Sequence, residues 1–294
     1  MSKKDLTEED IKLRYITPAI NNAGWKNQGS GDRTEVNPDP LEQHNSSKLS
    51  EARTMPTKLL LLCQNSCYIK NSLTFMADIH IIDSIRLNHN GLCVLDENRK
   101  WVNLHKQQGD LDGACAIYSL VMAMLCKGLL TDNDTKVYNR PDRRTDKGKF
   151  LYQFFNERGM IRDGYSYVTL AKEINDSSFG IIATRKNPKT NDDRIQLISD
   201  YIYDNTPVII SVVFPDRDKE GAHALLAIGI EVNSDDTITK ILCLDPGNPT
   251  PKYSPWNCYV DVSKETKHDY PFNCVSEHVH YKVRLDDMLI IDKE

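Results

Sequence analysis

The last third of the chain alternates short apolar runs with turns that carry acidic residues, glycine and proline. The runs are rich in β-branched residues or alternate between apolar and polar positions, and both patterns are typical of strands. We predict strands over PVIISVVF (207–214), AHALLAIGIEV (222–232), TITKILCLD (237–245), NCYVDV (257–262) and HYKVRLDDMLII (280–291). The turns between them favour an antiparallel sheet.

The middle of the chain is predominantly helical in its pattern. Apolar residues recur at helical spacing over 147–157, 165–174 and 192–203, and FGIIATRK between the last two predicts a strand. Upstream, MADIHIIDSIRL alternates as a strand does, and turns at 90–91 and 96–98 bound two further short strands. Helices followed by an antiparallel sheet indicate an α+β fold.

One predicted helix has almost no polar face. It covers about 112–127, within GDLDGACAIYSL and the apolar run that follows, and such a helix is buried in a core. We expect Asp112 to cap its first turn. Cys115 stands in that turn, where the free N–H groups and the partial positive charge of a helix N-terminus favour a thiolate. The plainer interpretation is an ordinary buried cysteine, since free cysteine is among the most buried residue types.

A thiol nucleophile needs a base, and the base needs an orienting partner. His223 differs from the other histidines because it opens the predicted strand 222–232 directly after the polar loop PDRDKEG. If the turn in VNSDDT is centred on Ser234, His223 lies directly opposite Asp245, with Cβ atoms roughly 5 Å apart. A slip of one residue would change the partner, so other registers stay open. Each residue alone also fits a plainer role, His223 as a rim histidine and Asp245 as a turn residue.

Three segments in this order, DGACAIYSL, TPVIISVVF with GAHALLAIGIE, and LCLDPGN, resemble papain-like cysteine peptidases of the bacterial branch over about 100–291. The resemblance implies a central nucleophile helix packed against an antiparallel β-sheet, with Cys115 as nucleophile, His223 as base and Asp245 as orienter. The family places an oxyanion-hole glutamine six residues before the nucleophile, where this chain has Gly109. A one-residue insertion would bring Gln108 into that role, and Gln107 is the other amide nearby.

The start of the chain differs from the rest. LTEEDIKLRYITPAINNAGW resembles the N-terminus of the restriction subunit of type I restriction enzymes over about the first 28 residues, and no nuclease motif follows. Residues 29–56 are rich in glycine, serine, asparagine, proline and charge, which predicts a disordered linker. We therefore expect a helical segment over 1–28, a linker over 29–56 and a papain-like peptidase domain over 57–294. The first resemblance also suggests an association with a defence-system locus.

Composition narrows the class of protein. The chain has 294 residues and a net charge of -5, which argues against nucleic-acid binding. It has no apolar run of about 18 residues and no secretory signal, so we expect a cytoplasmic protein that does not enter membranes. Eight cysteines in a chain of this length are then reduced thiols. A zinc site is a weaker alternative, built on Cys63-x3-Cys67 with His80, His89 and Cys93. We expect no cofactor and no metal.

The sequence thus favours a cysteine peptidase that hydrolyses peptide or isopeptide bonds of a protein or peptide substrate through a thioester. The same three side chains would serve an acyltransferase or a deamidase, because these reactions share that intermediate. A catalytically incomplete papain-like interaction module is a further alternative, since the glutamine is displaced.

Overall fold

The structure, a computed structural model, describes residues 77–89, 91–109, 113–136, 140–157, 164–217 and 219–294. The predicted helical segment 1–28, the linker 29–56 and the first part of 57–294 lie outside these residues. Cys63 and Cys67, on which the zinc alternative depends, lie outside them as well.

Strands make up most of the regular structure in the described ranges. They are β1 (Asp78–Ile81), β2 (Arg86–Asn88), β3 (Gly91–Leu95), β4 (Trp101–Asn103), β5 (Ile181–Lys186), β6 (Val208–Asp216), β7 (Lys219–Val232), β8 (Ile238–Leu244), β9 (Cys258–Asp261), β10 (Phe272–Ser276) and β11 (His280–Lys293). The sequence pattern predicted most of them, but not β10. The single strand expected over 76–87 is two strands in different sheets, because the chain turns between β1 and β2 with Ile82 and Ile85 buried.

Four α-helices lie in the described part of the chain: α1 (Cys115–Cys126), α2 (Asp146–Leu151), α3 (Tyr167–Asn175) and α4 (Asn191–Tyr203). A π-helical turn, Tyr152–Glu157, continues α2, and a 3-10 turn covers Asp132–Thr135. Threonine side chains accept hydrogen bonds from backbone N–H groups at the starts of α2 and α4, as N-cap residues commonly do. All four helices overlap the helices that the apolar spacing predicts.

The described strands form two antiparallel sheets. The smaller has three strands in the order β2-β3-β4, and the larger has eight, in the order β1-β7-β6-β11-β10-β9-β8 with β5 on β11. β8 also pairs with β7, so the larger sheet closes on itself. Closure is possible because β7 and β11 are long and change partners along their length, with register shifts that let them bend.

Helix α1 packs against β7 and β6 and is buried along nearly its whole length. The chain therefore has a mixed α and β fold with an antiparallel sheet, as the sequence predicts. The sheet that the helix meets is closed on itself, which the prediction did not include. No helix of the described residues is long and apolar enough to cross a membrane.

Candidate active site

Cys115 is the first residue of α1, and its side chain is half-buried. The N-cap residue is Ala114, which makes no side-chain capping bond, so the expectation that Asp112 caps this helix was wrong in position. Asp112 itself lies outside the described residues. The thiol lies at the helix start, as the sequence pattern predicts. The uncapped first turn leaves backbone N–H groups free for other partners.

The backbone of Ala224 in β7 contacts two side chains of α1. Its N–H donates to Sγ of Cys115 at 3.4 Å, and its carbonyl accepts from Oγ of Ser119 at 3.3 Å. Cys115 and Ser119 share one face of the helix, since residues four apart are neighbours on a helix surface. The ladder between β7 and β8 runs only as far as Leu226, so α1 takes the place of β8 beside Ala224.

His223, the residue before Ala224, is half-buried and lies within β7. The sequence pattern predicts it at the first residues of the strand, after a polar loop. That placement was wrong, because β6 and β7 continue pairing to Asp216 and Lys219 and form a tight hairpin there. His223 lies at the edge of the sheet because its neighbour β8 ends at Leu244. The start of β7 is not the reason.

His223 and Asp245 meet at 2.6 Å between Nε2 and Oδ1, although the register differs from the predicted one. The last pair of the β7–β8 ladder joins Leu226 to Leu244, so Asp245 lies just beyond the ladder. In this register Asp245 is shifted by two residues from the predicted position opposite His223. The turn is centred one residue later than Ser234, because Asn233 N–H bonds to the Thr237 carbonyl. A slip of two residues keeps both side chains on one face, and diagonal neighbours are within reach of a long side chain.

Asp245 is buried and held on every side. Oδ1 also accepts from the Gly247 N–H at 2.6 Å, and Oδ2 accepts from the Asn248 amide at 2.7 Å. The Asn257 side chain bonds both backbone groups of Asp245, accepting from its N–H at 2.7 Å and donating to its carbonyl at 2.9 Å. A side chain with this many partners has a fixed direction, and that direction is toward His223.

The charges of Cys115 and His223 stabilise each other. Burial by itself raises the pKa of the Cys115 thiol, but hydrogen bonding to His223, the imidazolium charge and the N–H groups of Ala224 and Ala116 outweigh it, so the pKa lies below its usual value. Burial opposes the charge on His223 too, yet hydrogen bonds to Asp245 and Cys115 raise the pKa of the imidazole to about 10. The imidazolium thus favours the thiolate form of Cys115, and the thiolate favours the imidazolium.

Gln108, the candidate oxyanion-hole residue, lies beside the turn that follows Asp245. Its backbone N–H donates to the carbonyl of Pro246 at 2.9 Å. Its side-chain oxygen is buried and has no hydrogen-bond partner among the residues described. Gln107 is exposed. The structure ties Gln108 to the turn after Asp245, and residues 110–112, which connect it to the cysteine helix, lie outside the described ranges.

Sequence reasoning missed His105, which follows β4. Its imidazole is buried, with Nε2 at 2.9 Å from the Asp245 carbonyl oxygen and Nδ1 at 3.0 Å from Oγ1 of Thr250. No local pattern marks this residue, because both of its partners are more than a hundred residues away along the chain. Only the fold brings it to the site.

The residues of the zinc alternative that the structure describes do not form a site. His80 packs edge-on against the ring of Tyr203, and Sγ of Cys93 faces the amide oxygens of Asn88 and Asn103. Within the described ranges, no group of three or more His, Cys, Asp and Glu side chains could hold a metal ion.

Comparisons with known proteins add little to this geometry. No protein-family model matches the chain, and no curated protein matches it. Among solved structures, the chain is similar to one described as UfSP from C. elegans, at 13% identity and a TM-score of 0.38. The match covers 74% of this chain and 35% of that one, so this chain spans about a third of its length. A similarity at this level carries no argument about function.

Proposed function

We propose that the chain is a cytoplasmic cysteine peptidase of the papain-like type, in which Cys115, His223 and Asp245 hydrolyse a peptide or isopeptide bond. One observation carries the proposal. The Cys115 thiol is hydrogen-bonded to the His223 side chain, and Nε2 of that imidazole lies 2.6 Å from Oδ1 of the buried Asp245. This is the order of nucleophile, base and orienter that covalent acyl transfer requires.

The chemistry follows from these positions. The Cys115 thiolate attacks the substrate carbonyl carbon, and the carbonyl oxygen becomes an oxyanion. The His223 imidazolium then gives its proton to the amine as the carbon–nitrogen bond breaks, which leaves a thioester on Cys115. Water attacks the thioester with neutral His223 as general base, and the thiolate returns as the carboxylic acid leaves. Asp245 keeps the imidazole in place and stabilises its charged form.

The oxyanion needs donors. The backbone N–H of Cys115 is one, because the first N–H groups of a helix have no partner within it. The Gln108 side-chain amide is the second in this proposal. Its support is the backbone bond to Pro246, which holds Gln108 beside the turn that follows Asp245.

The experiment that tests the proposal joins labelling to product analysis. The full chain is incubated with a thiol-reactive activity probe, and the labelled peptide is identified by mass spectrometry. In parallel, the enzyme is incubated with a library of peptides from a digested proteome in water enriched in oxygen-18. We expect the label on Cys115 and new carboxyl termini that carry oxygen-18. Cys115→Ala is the inactive control, and Cys126→Ala, at the buried end of the same helix, is the matched cysteine variant.

Each other outcome has a distinct meaning. Loss of ammonia from glutamine or asparagine side chains without chain cleavage would identify a deamidase. New amide bonds to added amines would identify an acyltransferase. No labelling of Cys115 and no change in any peptide would overturn the enzyme proposal and favour the interaction module.

A further inference from the structure

His105 is a buried imidazole with both ring nitrogens engaged. It is 6% exposed, Nδ1 lies 3.0 Å from the Thr250 hydroxyl and Nε2 lies 2.9 Å from the carbonyl oxygen of Asp245. A buried polar side chain is tolerated when its hydrogen bonds are satisfied. The partner at Nε2 is the backbone of the residue that holds His223.

The backbone of Asp245 needs such a partner because its strand has ended. β8 ends at Leu244, whose ladder partner is Leu226, so no strand receives the carbonyl of Asp245. Buried backbone groups that leave a ladder are paired by side chains instead. Asn257 takes the N–H and shares the carbonyl, at 2.9 Å from its own amide nitrogen. The Asn248 N–H donates to the same carbonyl at 3.2 Å, and His105 supplies a third donor at 2.9 Å.

The contacts of His105 identify its tautomer. Nε2 lies nearest to the Asp245 carbonyl oxygen, at 2.9 Å, and a carbonyl oxygen only accepts. The Asn257 amide nitrogen is 3.1 Å from the same Nε2, but its two hydrogens have acceptors in the carbonyls of Asp245 and Pro249. Nε2 therefore carries the proton and donates to Asp245. Nδ1 then accepts from the Thr250 hydroxyl. Burial lowers the pKa of His105, although the nearby Asp245 carbonyl and charge oppose the shift, so the ring stays neutral at neutral pH. His105 is therefore a donor of fixed direction and carries no charge of its own beside His223.

His105 also connects two parts of the site. It belongs to the segment that leads toward α1, and Gln108 in that segment donates its N–H to Pro246, the residue after Asp245. The two bonds lie on consecutive carbonyls, those of Asp245 and Pro246. The segment before the nucleophile and the turn after the acid are thus held side by side.

We propose that His105 is a positioning residue for Asp245: its Nε2–H fixes the Asp245 carbonyl, and through it the direction in which the carboxylate meets His223. This inference rests on the proposed function of Cys115, His223 and Asp245. Loss of the Nε2–H leaves the Asp245 carbonyl to Asn257 and Asn248 alone, which loosens the position of Asp245, weakens its bond to His223 and so weakens the stabilisation of the Cys115 thiolate.

Two polar substitutions separate the two ring nitrogens. In His105→Gln the side-chain amide reaches the place of Nε2 and keeps a donor for Asp245. In His105→Asn the shorter amide reaches only the place of Nδ1 and leaves the Asp245 carbonyl without that donor. The rate of iodoacetamide alkylation at Cys115 is measured against pH in the full chain, with each site quantified by mass spectrometry. No substrate is needed for this measurement.

We expect His105→Gln to keep the wild-type pH profile. We expect His105→Asn to move the midpoint of alkylation upward by about one pH unit, so that the rate at a pH below both midpoints falls roughly tenfold. His105→Phe, which has no donor, is expected to behave like His105→Asn. Thr250→Val removes only the bond at Nδ1 and is expected to change the profile less than His105→Asn.

The matched control is Asn175→Ala. Asn175 clamps the backbone of Ala183 in β5 as Asn257 clamps Asp245, with bonds at 2.7 and 3.0 Å. The Asn175→Ala variant shows the effect of removing such a pair of backbone bonds away from Cys115. We expect it to have a lower melting temperature and an unchanged pH profile of Cys115 alkylation. If His105→Asn and His105→Gln give the same profile as the wild type, His105 is a structural anchor and the inference is wrong. If Cys115 of the wild type is not alkylated preferentially, the proposed function fails instead.

Discussion

The backbone N–H of Ala224 lies 3.4 Å from Sγ of Cys115. Ala224 follows His223, so one bond fixes the distance between the start of α1 and the strand that carries the imidazole. The Ser119 bond to the Ala224 carbonyl fixes the same helix a turn further along. Helix and strand are thus held at two points, which keeps the start of α1 beside the strand that carries His223.

Cys115 is expected to be the most reactive thiol near neutral pH. Burial raises the pKa of Cys126 to about 12 and also raises the pKa of Cys243 and Cys258, whereas the pKa of Cys115 is lowered. Because the thiolate is the nucleophile, limiting iodoacetamide should modify Cys115 first. Peptide mass spectrometry after partial labelling measures the order. Labelling that spares Cys115 and falls on Cys63, Cys93 or Cys243 would contradict the proposed triad.

The pH dependence of that reaction reports on the pair. Below about pH 10 His223 is cationic and stabilises the thiolate, so alkylation of Cys115 should persist below pH 9.0, the ordinary thiol value, and fall as the pH drops through the lowered pKa of the thiol. In His223→Ala the midpoint should move upward toward the ordinary value of 9.0. Rates measured between pH 4 and 10 test this. An unshifted midpoint in His223→Ala would mean that the imidazole does not stabilise the thiolate.

Turnover should depend on the three side chains unequally. On a peptide that the wild type cleaves, Cys115→Ala and His223→Ala are each expected to lower kcat at least about 1,000-fold, because nucleophile and base act as a unit. Asp245→Ala is expected to be roughly 10- to 100-fold milder, since it acts by orienting the base. His268→Ala, an exposed histidine, is the control and should keep the wild-type rate. Wild-type turnover in His223→Ala would identify another residue as the base.

Ser119→Ala tests the second contact between α1 and β7. Its hydroxyl is buried and donates to Ala224, so its removal should lower the free energy of unfolding by about 1 kcal/mol. Urea unfolding followed by circular dichroism measures the change. Ser234→Ala, in the exposed turn before β8, should stay within about 0.5 kcal/mol of the wild type. Equal stability of the two variants would show that the Ser119 bond does not hold the helix.

A chain that begins near Thr57 is expected to stay soluble and keep its reactive thiol. The reason is compositional: residues 29–56 contain few apolar side chains, too few to offset the entropy of ordering the segment. Limited proteolysis of the full chain should therefore cut first between Gly29 and Pro56. Aggregation of the shortened chain, together with protease resistance of 29–56, would mean that the N-terminal residues pack into the catalytic fold.

Sequence by itself determined the features that depend on local periodicity. The apolar helix with Cys115 at its start follows from its residues, because a helix without a polar face must be buried. The shared face of His223 and Asp245 also follows, since side chains on paired strands repeat every two residues, and the even slip of the register preserved that face. The same periodicity could not fix the register itself, which depends on where the turn after Val232 closes.

Only the tertiary structure decided the rest. The closure of the sheet through β7 and β8, and the partners of His105 on the Asp245–Pro246 turn, join residues far apart in the chain. Such contacts leave no periodic trace in the sequence, because each is one pair among many that the same composition allows. These contacts form because α1 packs against β7 and β8 ends at Leu244, which leaves buried backbone groups outside the strand ladder. A buried backbone group without a partner is costly, so side chains from distant parts of the chain pair with these groups.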